Sequence, residues 1–114
     1  MAQTNLADYK NLYLQTAKEY LEKMSVSLNQ LSNDVSNKEA LNNLHIASHS
    51  LKSQSQVMGF KDISDICLNI EKISDEALRG NAQLNNQIIT DVKKSVENLS
   101  EILKLIQDDT GAKV

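Results

Sequence analysis

The chain of 114 residues contains no proline, no tryptophan, a single cysteine and three glycines. Each scarcity excludes something. With so few turn residues, an all-β fold of this length is ruled out. Cys67 alone forms neither an intramolecular disulfide nor a multi-cysteine zinc site. Apolar runs reach only two or three residues, far short of a membrane span. The N-terminus has no basic region followed by an apolar stretch, so no signal peptide is visible. A net charge of −3 argues against a nucleic-acid binder held by phosphate contacts. The expectation is therefore a soluble, cytoplasmic, mostly helical protein. Its length suits one domain, with a core that removes roughly two-thirds of the unfolded surface from water.

Helical periodicity fills almost the whole chain. Leu6, Tyr9, Tyr13, Ala17, Tyr20, Met24, Leu28 and Leu31 recur at steps of three or four, which makes one apolar stripe. A polar cluster at residues 33–37 ends it, and Ser36 with Glu39 has capping-box spacing. The second stripe is Leu41, Leu44, Ser48, Leu51, Ser55 and Met58, closed by Gly59, a residue suited to the position just past a helix end. Asp62 is the expected N-cap of a third helix striped by Ile63, Ile66, Cys67, Ile70, Ser74 and Ala77, with Arg79-Gly80 at its end. After a short polar loop, Ile88 or Ile89, Val92, Val96, Leu99, Leu103 and Ile106 mark a fourth. Four amphipathic helices with short connections predict an all-α, up-down-up-down antiparallel four-helix bundle over residues 1–107. Residues 108–114 have no pattern and are expected to fray. Cys67 lies on an inner stripe, where a lone cysteine behaves as a small buried hydrophobe.

One stretch is not explained by bundle packing: His45-Ile46-Ala47-Ser48-His49-Ser50-Leu51-Lys52-Ser53. At about 100° per residue, His49 points away from the buried face, with His45 one turn before it and Lys52 one turn after it. A surface histidine is commonly no more than a solvated residue. An i, i+4 histidine pair can also chelate a divalent ion, but no third ligand lies near in sequence, and no native metal site is expected. Nucleophilic hydrolase chemistry has no Gly-x-Ser-x-Gly elbow here, and no glycine-rich loop cradles a nucleotide phosphate. No bound cofactor is expected.

The words of this stretch carry a resemblance. His49, Leu51 and Lys52, then Gly59 ten residues after the histidine, then Glu71 on the next helix, resemble the histidine phosphotransfer domain. The Met58-Gly59-Phe60 ending and the aromatic-rich opening from Tyr9 to Leu21 look like the N-terminal phosphoacceptor domain of CheA-type chemotaxis kinases. The resemblance covers roughly residues 6 to 107. Two positions depart from the pattern. Ser53 stands where glycine is usual, and Leu68 stands where CheA-type domains often carry a second histidine. His45 is not part of the family pattern.

What the resemblance implies is a phosphocarrier without its own ATP site, in two-component signalling. His49 would accept a phosphoryl group from the ATP-binding domain of a histidine kinase and pass it to an aspartate of a response-regulator receiver domain. Glu71 would take the Nδ1 proton in a hydrogen bond, leaving Nε2 to attack. Lys52 would offset charge on the phosphoryl oxygens. Leu68, outside the core stripe, is either part of a receiver-docking surface or a stray surface leucine. Apart from these implications, the register of the hairpin pairs the same residues. In an antiparallel pair turning near residue 60, positions 49 and 71 are each eleven residues from the turn and lie level. His45 then lies level with Asp75, which keeps that second pairing open. The contrasting reading is a non-catalytic interaction bundle that binds a partner helix in an apolar groove.

Overall fold

The structure is a computed structural model that describes residues 6–111, with side chains from 8 to 108. It contains four helices: α1 (Leu6–Asn33), α2 (Lys38–Met58), α3 (Lys61–Leu78) and α4 (Asn86–Gly111). Their contacts establish the expected up-down-up-down bundle. Tyr13, early in α1, meets Ser55, late in α2. His49 of α2 meets Glu71 of α3, and Lys18 of α1 meets Gln107 near the end of α4. Helix α2 is flanked by α1 and α3, while α4 rests mainly on α1.

The core follows the apolar stripes, with revisions at their edges. Leu44, Leu51, Ile63, Cys67, Ile70, Val92 and Leu99 are buried as the periodicity predicts, whereas Met58, Ile66 and Ala77 are only partly covered. In α1 the stripe is wider than expected. Leu14 and Leu21 are buried, Tyr20 is partly covered and Tyr9 is 53% exposed. Helix α1 packs on both α2 and α4, and a helix between two neighbours needs an apolar face broader than one seam. The side chain of Leu6 lies outside the described residues. Within α2 and α3 several buried positions are serines: Ser48, Ser55, Ser64 and Ser74. Ser48, Ser64 and Ser74 donate back to carbonyls of their own helix, which satisfies the hydroxyls and keeps the side chains compact.

The helix ends differ from expectation in three places. Asn37, not Ser36, caps α2: its side chain accepts from the Ala40 N–H at 3.0 Å. Ser36 instead turns towards Asp34, donating both its N–H and its hydroxyl to that carboxylate. Helix α3 begins at Lys61 after Phe60, so Asp62 sits inside the first turn, where its charge complements the helix dipole without capping it. The apolar pattern of α4 stops at Ile106, yet the helix continues to Gly111, past the start of the expected tail; residues 112–114 lie outside the described residues.

The Gly59 turn positions the site. Its φ of 79° is left-handed, and the Gly59 N–H donates to the Gln56 carbonyl while the Phe60 N–H donates to that of Ser55. This paired capping ends α2 within one residue and starts α3 two residues later. A turn so short leaves no slack, so the register between α2 and α3 is set from this end.

Candidate functional site

Helix α2 presents His49 outward, with 56% of its side chain exposed. Helix α3 answers with Glu71, 22 residues later in sequence and only 15% exposed. His49 Nδ1 and Glu71 Oε2 are 2.6 Å apart. A carboxylate only accepts, so Nδ1 carries the hydrogen. The ring's other nitrogen, Nε2, is then the one with a free lone pair. One turn on, Lys52 Nζ donates to the second oxygen, Oε1, also at 2.6 Å. A single carboxylate thus bridges two side chains of the neighbouring helix.

The electrostatics of Glu71 follow from these contacts. Burial alone pushes its carboxyl up. The hydrogen bonds from Lys52 and His49, with the charges they bring, outweigh that push and hold it below its ordinary value of 4.5. Glu71 is therefore an anion across the neutral pH range, which is the state needed to accept from Nδ1. Beneath the pair, Cys67 is fully buried, and burial followed by the nearby Glu71 charge pushes its thiol up to about 12.

Of the residues singled out in the sequence, the structure brings His49, Lys52 and Glu71 into one cluster. Lys52 is placed differently from the simplest reading: it is 17% exposed and bound to Glu71. His45 is half-buried, and the second pairing left open for it, with Asp75, is not made. Its Nδ1 lies 3.3 Å from Ser74 Oγ, while Asp75 accepts from Arg79 Nε at 3.0 Å. Ser74 had been visible only as a core-stripe residue. Its signal was a small hydroxyl at a buried position level with a polar residue on the facing helix.

A depression of about 370 Å³ opens beside the carboxylate on the α3 side, where His45, Lys52, Leu68 and Glu71 meet Lys72. A larger one of about 580 Å³ lies on the other flank of α2, around Tyr20, Val26, Ile46 and Ala47, and neither histidine lines it. Glu71 and Lys52 line the smaller depression, and His49 lines neither. Among the described residues no group of three or more His, Cys, Asp or Glu side chains is placed to hold a metal ion, and no helix is long and apolar enough to cross a membrane.

The sequence and the architecture have counterparts in known proteins. The chain is 26% identical over 100 residues to the chemotaxis protein CheA of Halobacterium salinarum, covering 88% of this chain and 15% of that protein. It is 32% identical over 85 residues to the CheA of Salmonella typhimurium, covering 75% of this chain and 13% of that one. The chain thus spans only about 15% of the length of such relatives. Its fold superimposes on the CheA phosphotransferase domain from Thermotoga maritima with a TM-score of 0.86 at 22% identity, over 90% of this chain and 98% of the other. The sequence model of the Hpt domain matches residues 8–102, a span that holds the His49–Lys52–Glu71 cluster, all of α2 and α3 and most of α1 and α4, and the chain belongs to the Hpt domain family.

Proposed function

We propose that His49 is the phosphoacceptor of this domain. It takes a phosphoryl group from ATP held by the ATP-binding domain of a histidine kinase and passes it to an aspartate of a response-regulator receiver domain. The observation that carries this reading is the 2.6 Å contact between His49 Nδ1 and Glu71 beneath an exposed ring. It favours one tautomer and leaves the free lone pair on Nε2 of a ring that is more than half exposed.

The chemistry balances on that geometry. The Nε2 lone pair forms a bond to phosphorus as the bond to the leaving ADP oxygen breaks, in line with the attack. Bonding at Nε2 draws electron density from the ring, so positive charge develops at the Nδ1–H end. The Glu71 carboxylate lies against that end and stabilises the charge, as a carboxylate behind a reacting imidazole does. On transfer to the receiver, the N–P bond breaks, the lone pair returns to Nε2 and the ring is neutral again. Lys52 acts first through Glu71, by holding its second oxygen. We assign its ammonium a second task, to offset charge on the phosphoryl oxygens once they arrive. Mg²⁺ and the nucleotide site come with the partners. This domain supplies a rigid helix face, and sites on helices hold their geometry well. We place this exchange in the cytoplasm, where both partner domains would work.

The experiment is phosphorylation of His49→Gln and His45→Gln by a competent kinase domain. The expected result is no acid-labile phosphate on His49→Gln and normal labelling of His45→Gln at saturating time. Labelling retained in His49→Gln and lost in the other would overturn the assignment. A wild-type protein that no histidine kinase labels would favour an interaction bundle instead.

A further inference from the structure

His45 takes no part in the chemistry above, yet it is half-buried one turn before His49 and faces the same neighbouring helix. Its Nδ1 is 3.3 Å from Ser74 Oγ. The direction of that bond follows from what else surrounds the hydroxyl. Ser74 Oγ lies 3.0 Å from the Ile70 carbonyl oxygen and 2.9 Å from that of Glu71. Oxygens that close repel unless a hydrogen lies between them, and carbonyls offer none. The Ser74 proton therefore points back into its own helix, and a lone pair faces His45. Nδ1 must carry the hydrogen, so His45 donates and Ser74 accepts.

This bond joins the same two helices as the His49–Glu71 pair, one turn away along both. Ser74 is fully buried, so its end of the rung does not wander. Its hydroxyl is in turn bonded to the backbone carbonyl of Glu71 itself. Glu71 has to hold two oxygens at 2.6 Å from two separate groups on α2, and a small slide or roll of α3 breaks both contacts.

Resting on the reading of His49 as phosphoacceptor, we infer that His45 is a positioning residue: through Ser74 it fixes α3 so that Glu71 stays aligned behind His49. The variants that test this are His45→Leu, which removes the donor at similar bulk, and His45→Asn, whose amide nitrogen stands about where Nδ1 stands. His45→Gln carries its amide one bond further out. Two readouts are needed: single-turnover phosphorylation by a kinase domain, and nitrogen NMR of the His49 ring, which reports its tautomer without any phosphoryl transfer. His45→Leu should be phosphorylated about three- to tenfold more slowly, less than removal of a direct carboxylate partner costs. Its His49 ring should lose the bias towards the Nδ1–H tautomer. His45→Asn should restore most of the rate and the tautomer, and His45→Gln should restore less. A merely structural role would lower the melting temperature and leave the His49 ring signals in place. If His45→Leu does not fold, Ser74→Ala removes the acceptor from the other side and should give the same change in the His49 ring. Unchanged ring signals and rate in a folded His45→Leu protein, or equal damage in Asn and Leu, would overturn the proposal. If wild type is not labelled on His49, the phosphotransfer reading falls, and the NMR comparison still decides whether His45 positions Glu71.

Discussion

Helix α2 is held from two sides by different means. Towards α1 the polar contacts are neutral: Tyr13 and Ser55 share a buried hydrogen bond of 2.7 Å, and Gln54 donates to the Tyr20 hydroxyl at 3.4 Å. The Tyr13 ring also packs against Phe60, with centroids 5.2 Å apart. Towards α3, beside the His45–Ser74 bond, the contacts are charged and closer to solvent, with Glu71 held between His49 and Lys52. The contrast separates two jobs. Buried apolar area and neutral hydrogen bonds stabilise the bundle. Partly exposed ion pairs are worth only about 0–1 kcal/mol, because water screens them and side-chain ordering offsets the attraction. The ion pairs on the α3 side therefore fix geometry at little benefit to stability, and the α1 seam and the shared core make that affordable.

The comparison is broken most forcefully by cutting the core beneath both seams. Leu51 is fully buried on α2. Leu51→Ala should destabilise the domain by about 2–5 kcal/mol, from lost transfer energy and the cavity left behind. Urea unfolding measures it. The protein that remains folded should still be labelled on His49 at a near-normal rate, because no atom of the cluster is removed.

Glu71→Ala should do the reverse. Phosphorylation of His49 should slow by roughly tenfold or more, as when the carboxylate behind a working imidazole is lost. Stability should change by less than about 1 kcal/mol. A melting transition that falls as far as that of Leu51→Ala would erase the distinction between the two seams. The same carboxylate sharpens the point through pH. Its folded value lies below the ordinary 4.5. The stability it contributes is therefore complete above about pH 4.5 and fades as pH falls through the lower folded value. Wild type and Glu71→Gln should differ slightly in unfolding free energy near neutrality and converge in acid. A gap that widens as acid is added would contradict the ion-pair account.

How much of this could be read from the chain depends on the residue. The α2 stripe was legible because Leu44, Leu51 and their neighbours serve a helix whose exposed face is polar, so the period stands out. Gly59 was legible because a left-handed turn position favours glycine, and the turn then set His49 level with Glu71. The choice between Tyr9 and Leu14 was not legible. Both fit steps of three or four, and only the placement of α4 shows that α1 must be apolar on two sides. Lys52 could be put on the right face from its spacing, but a flexible lysine has several anions within reach, and its choice of Glu71 over solvent is a tertiary fact. His45 was matched with Asp75 by level alone. The helices meet instead at Ser74, one residue nearer the core, because Asp75 turns outward to Arg79. Sequence periodicity specifies faces well and resolves neighbours within a face poorly.

The smallest expected effect concerns the neutral seam alone. Tyr13→Phe removes the hydroxyl that meets Ser55 and keeps the ring against Phe60. Ser55 is buried, but its hydroxyl can turn to a carbonyl of its own helix, as Ser48 and Ser74 do. The cost should be about 1 kcal/mol, the net worth of one neutral hydrogen bond. Alkaline pH should make the change visible in another way. Burial pushes the Tyr13 phenol up from 10.0 to about 12, against a smaller pull downward from the Ser55 bond. The unfolded chain ionises at the lower value and the folded chain at the higher. Stability is therefore full below the unfolded value and is lost as pH rises through the folded one. Cys67, raised from 9.0 to about 12, adds a loss that begins a little earlier. Wild type should lose more stability than Tyr13→Phe between about pH 10 and about pH 12, with the thiol's share common to both. At neutral pH the two should accept phosphate on His49 at the same rate. Equal alkaline losses would show that the phenol of Tyr13 ionises as freely in the folded protein as out of it. A slowed phosphorylation would show that the α1 seam reaches the chemistry after all.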